Sequence, residues 1–418
     1  MRKIVKTSIV AASLIATTAM AADKGIDITT TGQAVVYYQT LANNGAGAPD
    51  LFDQATAKAN VGLQLNLDAD LKNNFTFGSQ INYLGTLGLE KNLVSGTMQN
   101  VGGATTSNDI ADDIYLSQLY VAKKMGNTTL KLGRQELPKS LSPFAYSEGW
   151  NVFKNTFDAA LIVNTDLPNT TLVGAYVGGG NQNGVSANLD NFGDITTTAG
   201  AITGTAYMAT VQNKSLPMTT VTATYYAVSN VAGSVDADIL WGDVAIAPKD
   251  LPMGLKLSVQ GGQISPDLTG AKDTNAFGAK VDLKPTSDLA VCVAYTTVND
   301  GTVGIKNTGG VKTPLYTQMI LNQGALYFDN DTYMLKAVYN TGKYGKIIAQ
   351  GTMTNDNTPG NTNATSDLTD LELVYKVNAG GVNFLAAYVN QSWDLPAGAA
   401  AGTKDGQDLV RLVARYNF

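Results

Sequence analysis

The chain has 418 residues and a formal net charge of −6 at pH 7, and it contains no histidine and a single cysteine, Cys292. The lack of histidine excludes Ser-His-Asp and Cys-His nucleophile systems and His-based metal sites, and one cysteine excludes an internal disulfide. The acidic balance argues against a nucleic-acid partner. The missing histidine and the single cysteine mean that the composition favours neither an enzyme nor a cofactor-binding protein.

The first 21 residues have the pattern of a secretory signal peptide. Three basic residues fall within positions 2–6, an apolar run covers 9–16, and a small-x-small cleavage site covers 19–21. Cleavage before Ala22 leaves 25 of the 28 Lys and Arg against 34 Asp and Glu, a net charge of −9. The apolar run is too short for a membrane anchor, which needs about 20 residues, and no other stretch predicts a spanning helix.

Apolar and polar residues alternate with a period of two along the rest of the chain, and helical periodicity is absent. In residues 59–67, for example, Ala, Val or Leu occupies every odd position and Asn, Gly or Gln every even one. This alternation predicts eighteen strands. They lie near 26–40, 57–71, 74–86, 111–125, 127–136, 155–167, 169–178, 204–214, 217–228, 235–248, 253–264, 273–284, 288–299, 331–341, 345–355, 367–378, 380–392 and 407–418.

The predicted connections alternate between short turns and longer loops. Turns rich in Gly, Pro, Asn or Ser, such as 72–74, alternate with longer connections such as 87–110, 179–201 and 301–328. Outer-membrane barrels show this asymmetry. We therefore predict an all-β fold in which residues 22–418 form a transmembrane antiparallel β-barrel with short periplasmic turns and long external loops.

Two other folds are alternatives to the eighteen-stranded barrel. A barrel of sixteen strands is the main alternative, if two weak strands near 204–248 are misread. A secreted β-helix or adhesin is the non-membrane alternative. The β-helix is disfavoured because parallel solenoids show a fixed repeat of about 20–50 residues, and this chain has no such repeat.

The third long connection, near 137–154, differs from the others because it contains two prolines and four aromatic residues. Exposed aromatic clusters are unfavourable, so we expect this loop to fold inward and narrow the lumen. An ordinary external loop or a subunit contact is the alternative. The predicted pore-constriction residues are Arg134, Glu136, Lys139, Glu148, Lys154 and Asp158. Strict alternation places Arg134 on the apolar face, so it reaches the lumen only if the strand has a bulge at Gly133.

Basic residues also occur on the polar face of several predicted strands. These candidate pore-wall residues are Lys131, Lys256, Lys280, Lys336, Lys376, Arg411 and Arg415. Acids and bases that face each other across a narrow wet gap create a transverse field that favours small polar solutes. The alternative is that these charges only keep the lumen hydrated. No metal site is predicted, although Asp112-Asp113 and Asp367 with Asp370 leave weak calcium binding open.

The last strand and the region of the third loop resemble a known family. The chain ends on Phe418, with Tyr416 and Leu412 at alternate positions, and this resembles the closing strand of Gram-negative outer-membrane barrels. A strand that ends in Gly-Arg-Gln at 133–135, then a loop with prolines, then Asn-Thr-Phe-Asp at 155–158 resembles the Opr family of porins. That family includes the OprD-like channels and the major outer-membrane porins of epsilonproteobacteria.

The resemblance implies an eighteen-stranded barrel, usually a homotrimer, whose third loop enters the pore. It also implies a location in the outer membrane, in contact with lipid and lipopolysaccharide. The expected function is a porin that passes ions and small hydrophilic solutes by passive diffusion. A substrate-selective channel for small carboxylates or amino acids is one alternative, and a surface adhesin or structural barrel is another. The acidic mature chain favours cations, whereas the basic wall residues favour anions.

Overall fold

The computed structural model describes residues 26–45, 47–102, 113–193, 196–198, 201–231, 235–249, 251–357, 367–394 and 405–418. The predicted signal peptide and Asp112 lie outside these ranges. No helix in the described part of the chain is long and apolar enough to cross a membrane.

The described residues contain twenty-two strands, eighteen of which form one sheet, and four short 3₁₀ turns. The strands are β1 Asp27–Asn43, β2 Lys58–Lys72, β3 Phe75–Gly85, β4 Gln99–Asn100, β5 Asp113–Met125, β6 Thr128–Gln135, β7 Phe157–Asn164, β8 Thr170–Gly180, β9 Ala187–Asn188, β10 Thr196–Thr198, β11 Ala201–Thr203, β12 Ala206–Asn213, β13 Thr219–Val228, β14 Ala237–Ile246, β15 Lys256–Pro266, β16 Thr274–Leu283, β17 Leu289–Val298, β18 Asn330–Asn340, β19 Lys346–Asp356, β20 Leu368–Ala379, β21 Val382–Trp393 and β22 Gly406–Asn417. The 3₁₀ turns are Leu89–Lys91, Pro252–Gly254, Asn322–Leu326 and Gly342–Tyr344.

The eighteen long strands form a closed antiparallel barrel. Each strand pairs with its neighbours in the chain, and β1 pairs with β22 from Gln33 opposite Asn417 to Asn43 opposite Gln407. The short pairs β4–β9 and β10–β11 lie in connections outside this sheet. The predicted eighteen-stranded barrel is therefore confirmed, and its predicted strand ends agree with the structure to within about three residues. The sixteen-stranded alternative is wrong, because β12, β13 and β14 form continuous ladders across the doubtful region.

Alternation along the strands separates an outer face, which is apolar, from an inner face, which is polar on most of the wall but apolar on β7 and β8, where Phe157, Val173 and Val177 join an interior cluster. On β18, Tyr333, Leu335 and Tyr339 are 54%, 60% and 51% exposed, whereas Thr332 and Met334, on either side of Tyr333, are buried. Tyrosines at the two ends and aliphatic residues between them are typical of a membrane-facing band with aromatic girdles.

The buried apolar residues lie inside the barrel, where connections pack against the wall. One cluster joins Phe144 of the connection after β6 to Tyr226 and Trp241 on β13 and β14. A second cluster joins Trp150 and Phe153 of the same connection to wall residues on β1 and β3. The chain between β6 and β7 therefore contributes to both interior clusters.

A charge on the outer face should destabilise the barrel. Leu335→Arg places a guanidinium between Tyr333 and Tyr339, and a charge at the bilayer midplane costs about 2–4 kcal/mol in such barrels. The measurement is the free energy of unfolding in lipid vesicles, by denaturant titration. Lys336→Arg changes the next residue, on the inner face, and should alter stability by less than about 0.5 kcal/mol. Equal losses in both variants would contradict this assignment of faces.

Candidate channel constriction

The connection between β6 and β7, residues 136–156, is largely buried in the barrel interior. Its four aromatic residues, Phe144, Tyr146, Trp150 and Phe153, are each at most 4% exposed. The sequence explains the packing, because apolar rings need an apolar partner and Tyr and Trp also need hydrogen-bond partners. The Tyr146 hydroxyl donates to Thr313 O at 3.1 Å and Trp150 Nε1 donates to Ile320 O at 2.6 Å.

This connection contacts strands on opposite sides of the barrel. On one side, Arg411 Nη1 of β22 donates to Trp150 O at 3.2 Å. On the other side, Phe144 N donates to the Tyr226 hydroxyl of β13 at 3.1 Å, and the Phe144 ring packs edge-on against Trp241 at 5.1 Å between ring centroids. Since β22 and β13 are half a turn apart in the closed sheet, the connection spans the lumen.

A second segment, residues 299–329 between β17 and β18, also contacts the interior of the barrel. Ile320 N donates to Glu372 Oε1 on β20 at 2.5 Å, and the hydroxyls of Thr317 and Thr296 lie 2.6 Å apart. The sequence predicts only a long external connection here. Its apolar content is the signal that could have identified it, since Leu315, Met319 and Leu326 are all at most 3% exposed.

The two segments meet at Glu148, whose side chain is 3% exposed. Its carboxylate accepts hydrogen bonds from Val311 N at 2.6 Å, Lys312 N at 3.2 Å and Asn307 Nδ2 at 3.0 Å. Asn307 Oδ1 in turn accepts from Tyr146 N at 2.8 Å. Glu148 therefore holds the two segments together and does not present a free charge to the lumen.

Three lysines, Lys139, Lys280 and Lys312, line a cavity of about 420 Å³ beside this contact. Residue Lys139 has exposed surface, but protein segments surround its ammonium group. Burial among the surrounding segments, with a smaller contribution from Lys312, lowers the pKa of Lys139 to about 8. The cavity is therefore basic at neutral pH and loses positive charge as the pH rises through this value.

All seven candidate pore-wall residues lie on the inner face of the barrel. Each alternates with outward-facing apolar residues, as Lys336 does with Leu335 and Arg411 does with Leu412. Some of them interact with neighbouring side chains. Lys131 Nζ lies 3.6 Å from the centroid of the Tyr120 ring, and Lys280 Nζ lies 3.6 Å from Asp282. The placement follows from strand alternation alone.

Two of the residues expected at the constriction lie on the other face. Arg134 and Asp158 form an ion pair with Nε and Oδ1 2.9 Å apart, opposite each other on β6 and β7. Arg134 also lies opposite Leu119, which is 44% exposed on the outer face. The register of β6 is continuous with both neighbours, so Gly133 does not introduce the bulge that would turn Arg134 inward. This corrects the lumen position expected for both residues.

The remaining pair, Glu136 and Lys154, brackets the ends of the first inward segment. Lys154 Nζ lies 2.6 Å from Glu136 Oε2, and both side chains are partly exposed. The pair connects the point where the chain leaves β6 to the point where it returns towards β7. Ion pairs with this exposure contribute little stability, on the order of 0–1 kcal/mol.

A second basic cavity, of about 490 Å³, lies beneath Trp150 on the side of the short turns. Lys346, Lys376, Arg411 and Arg415 line it, and the described lining residues include no Asp or Glu. Arg411 is 6% exposed, and its Nη2 has no hydrogen-bond partner among the described residues. A buried guanidinium with an unused donor beside a cavity is suited to bind an anion.

The searches of known proteins returned solved structures only; no protein-family model and no curated protein matches the chain. Pseudomonas aeruginosa OccK9 (OpdG) is 14% identical, with a TM-score of 0.72 over 94% of this chain and 98% of that one. Pseudomonas aeruginosa OccK8 (OprE) is 15% identical, with a TM-score of 0.71 over 94% and 98%. Pseudomonas aeruginosa OccK2 (OpdF), solved in complex with glucuronate, is 12% identical, with a TM-score of 0.68 over 94% and 96%.

The chain thus has the fold of the outer-membrane channel proteins. Within that class, it is similar over nearly its whole length to the Occ channels, which are OprD-like, and the expected resemblance is confirmed at the level of the fold.

Raising the pH from 7 to 9 should shift the ion selectivity measured for the reconstituted protein away from anions. The lowered pKa of Lys139 means that its ammonium loses a proton in this interval, and the basic cavity then carries one positive charge fewer. The measurement is the reversal potential in a salt gradient at both pH values. Lys139→Met should remove most of the change, whereas Lys91→Met, in an outer 3₁₀ turn, should retain it. An unchanged pH response in Lys139→Met would contradict the assignment.

Proposed function

We propose that this protein is an outer-membrane channel that passes ions and small hydrophilic solutes by passive diffusion. The observation that supports it most strongly is the pair of inward segments, 136–156 and 299–329, inside a closed wall of eighteen strands. A barrel of this size is too wide for side chains alone to fill. The segments narrow the lumen to small polar cavities, so solutes are selected by size and then by charge.

Charge at the constriction favours anions in this proposal. Glu148 is buried and bound to backbone donors, whereas Lys139, Lys280 and Lys312 line the adjacent cavity. Lys280 lies 3.6 Å from Asp282, so Lys139 and Lys312 supply the positive charge that a solute meets in this cavity. This outweighs the acidic net charge of the mature chain, because screening weakens the effect of charges farther than about 8–10 Å from the path.

We also propose that the protein lies in the outer membrane. Cleavage of the signal peptide would release the mature chain to the periplasm, and the apolar outer face fits insertion into the outer membrane beside lipid and lipopolysaccharide. A homotrimer is part of the proposal because the family that the sequence resembles usually forms one.

Single-channel conductance of the refolded mature chain, residues 22–418, in a planar bilayer tests this function. We expect discrete steps in molar salt, in groups of three for a trimer, and a reversal potential that indicates anion preference. Folding is checked separately by the shift in electrophoretic mobility on heating. A correctly folded barrel that gives no steps would indicate a closed structural barrel and would overturn the proposal.

A selective channel for small carboxylates is the second candidate. The unused Nη2 donor of Arg411, in a cavity that Lys376 and Arg415 also line, favours this function. Arg411 Nε and Nη1 already donate to Gln39 Oε1 and Trp150 O, so a carboxylate here would accept a single charged hydrogen bond, from Nη2. The complex of OccK2 with glucuronate is consistent with carboxylate passage in a channel of this fold.

Glucuronate should then interrupt the current through the wild-type channel, and Arg411→Gln should weaken this block by about tenfold or more, as expected for loss of a charged hydrogen bond of about 1.5–3 kcal/mol. Lys376→Gln tests the same cavity without disturbing the bond from Arg411 to Trp150 O. Lys256→Gln removes a wall lysine that does not line this cavity and serves as the matched control. Equal block in all four proteins, or no block in any, would favour the non-selective function.

A further inference from the structure

The turn formed by residues 307–312 surrounds the Glu148 carboxylate. Asn307 N donates to Lys312 O at 2.9 Å and closes the turn, and Gly309 adopts a positive φ of 68°. The amide groups of Val311 and Lys312 follow each other and both point at the carboxylate. Successive backbone N–H groups arranged in this way form a nest, a concave site that binds anions.

The turn leaves no space for a side chain at position 310. A Cβ atom added there would lie 2.4 Å from Glu148 Oε2 and 2.2 Å from Asn307 Nδ2. Both distances are far below van der Waals contact, so a Cβ atom at this position would displace the Glu148 carboxylate and the Asn307 amide from their present positions. The φ of Gly310 is not positive, so the close approach of Glu148, and not backbone conformation, favours glycine here.

Neutral donors hold the Glu148 carboxylate. Among the described residues, no side-chain nitrogen of a lysine or arginine lies within 4.0 Å of it. Lys139 and Lys312 are close enough to act on it electrostatically but do not pair with it. Hydrogen bonds from backbone N–H groups to an ionised acceptor are about twice as strong as neutral ones. The Glu148 carboxylate is therefore bound as an anionic ligand would be, by neutral N–H donors.

Glu148 itself is fixed from the opposite side. Its N–H donates to Asn155 Oδ1 at 2.9 Å, and its carbonyl oxygen accepts from Asn183 Nδ2 at 2.6 Å. In the described part of the chain, three further hydrogen bonds join the turn to the first inward segment: Thr308 N to Phe144 O at 2.8 Å, Tyr146 N to Asn307 Oδ1 at 2.8 Å and Asn307 Nδ2 to Tyr146 O at 2.9 Å. The carboxylate thus accounts for three of the hydrogen bonds between the two segments.

We propose that turn 307–312 is a carboxylate-binding site that Glu148 occupies as a built-in ligand, and that this contact sets the opening of the constriction. Glu148 acts as a positioning residue, because it holds segment 299–329 against segment 136–156 across the lumen. The inference rests on the proposed channel function. When the side chain is removed, the turn becomes free to bind a small carboxylate from solution.

The experiment compares wild-type protein, Glu148→Ala, Gly310→Ala and Glu90→Ala by single-channel recording in chloride, then after addition of acetate at constant ionic strength. Glu148→Ala should raise the conductance roughly twofold and increase its fluctuations, since conductance depends on pore diameter. Acetate should return Glu148→Ala towards the wild-type value by filling the vacated site. Gly310→Ala should show the same rise without rescue, because its Cβ blocks the site.

Glu90→Ala, in an outer 3₁₀ turn, is the matched control and should behave as wild type with and without acetate. Folding of each variant is confirmed by heat-modifiable electrophoretic mobility. Should Glu148→Ala not fold, Gly310→Ala still tests the contact from the other side. Conductance equal to wild type in the folded variants, or a rise in Glu148→Ala that acetate does not reverse, overturns the inference. A wild-type protein that never conducts overturns the channel function instead.

Discussion

Hydrocarbon offers no hydrogen bonds to the backbone, so every strand that crosses it must be paired on both edges. In this protein the requirement is met by the pairing of β1 with β22, which removes the last two edges of the sheet. Phe418 takes part in the closure, since its N–H and carbonyl both bond to Gly32, at 3.0 Å and 2.7 Å. The outer face, the width of the lumen and the need to narrow it all follow from this closure.

Closure encloses an interior. A connection without regular secondary structure can enter it only if side chains form hydrogen bonds with the backbone N–H and C=O groups of that connection. Amide side chains serve this purpose. Asn60 Oδ1 on the wall accepts from the N–H groups of Met98 and Gln99 at 2.9 Å and 3.0 Å, and Gln99 Nε2 donates to Phe153 O at 2.9 Å. In this contact, Asn and Gln side chains of the wall and of a connection satisfy backbone groups in a polar interior. Charged side chains take part in the same way, Glu148 and Glu372 as acceptors and Arg411 as a donor.

Strand positions and wall charges could be predicted because both depend on local alternation. Lys280, Lys336 and Arg411 lie on the inner face since their neighbours in the chain are apolar and the period is two. The same rule already placed Arg134 on the outer face, and the structure keeps it there, paired with Asp158. Placing Arg134 in the lumen required a bulge, and sequence offers no reliable signal for one at a single glycine. Alternation with Phe157 and Ala159 predicted Asp158 in the lumen, but those two apolar residues are the ones that pack inside the barrel.

The sequence by itself determined the barrel, its strand number, the faces of its wall and the first inward segment, because alternation and aromatic content are local properties. Only the tertiary structure decided that segment 299–329 also enters the lumen and that Glu148 is buried in its turn. Glu148 and Val311 are 163 residues apart in the chain. They meet only because closure brings β6 and β17 around one lumen, and a contact set by closure leaves no periodic trace in the sequence.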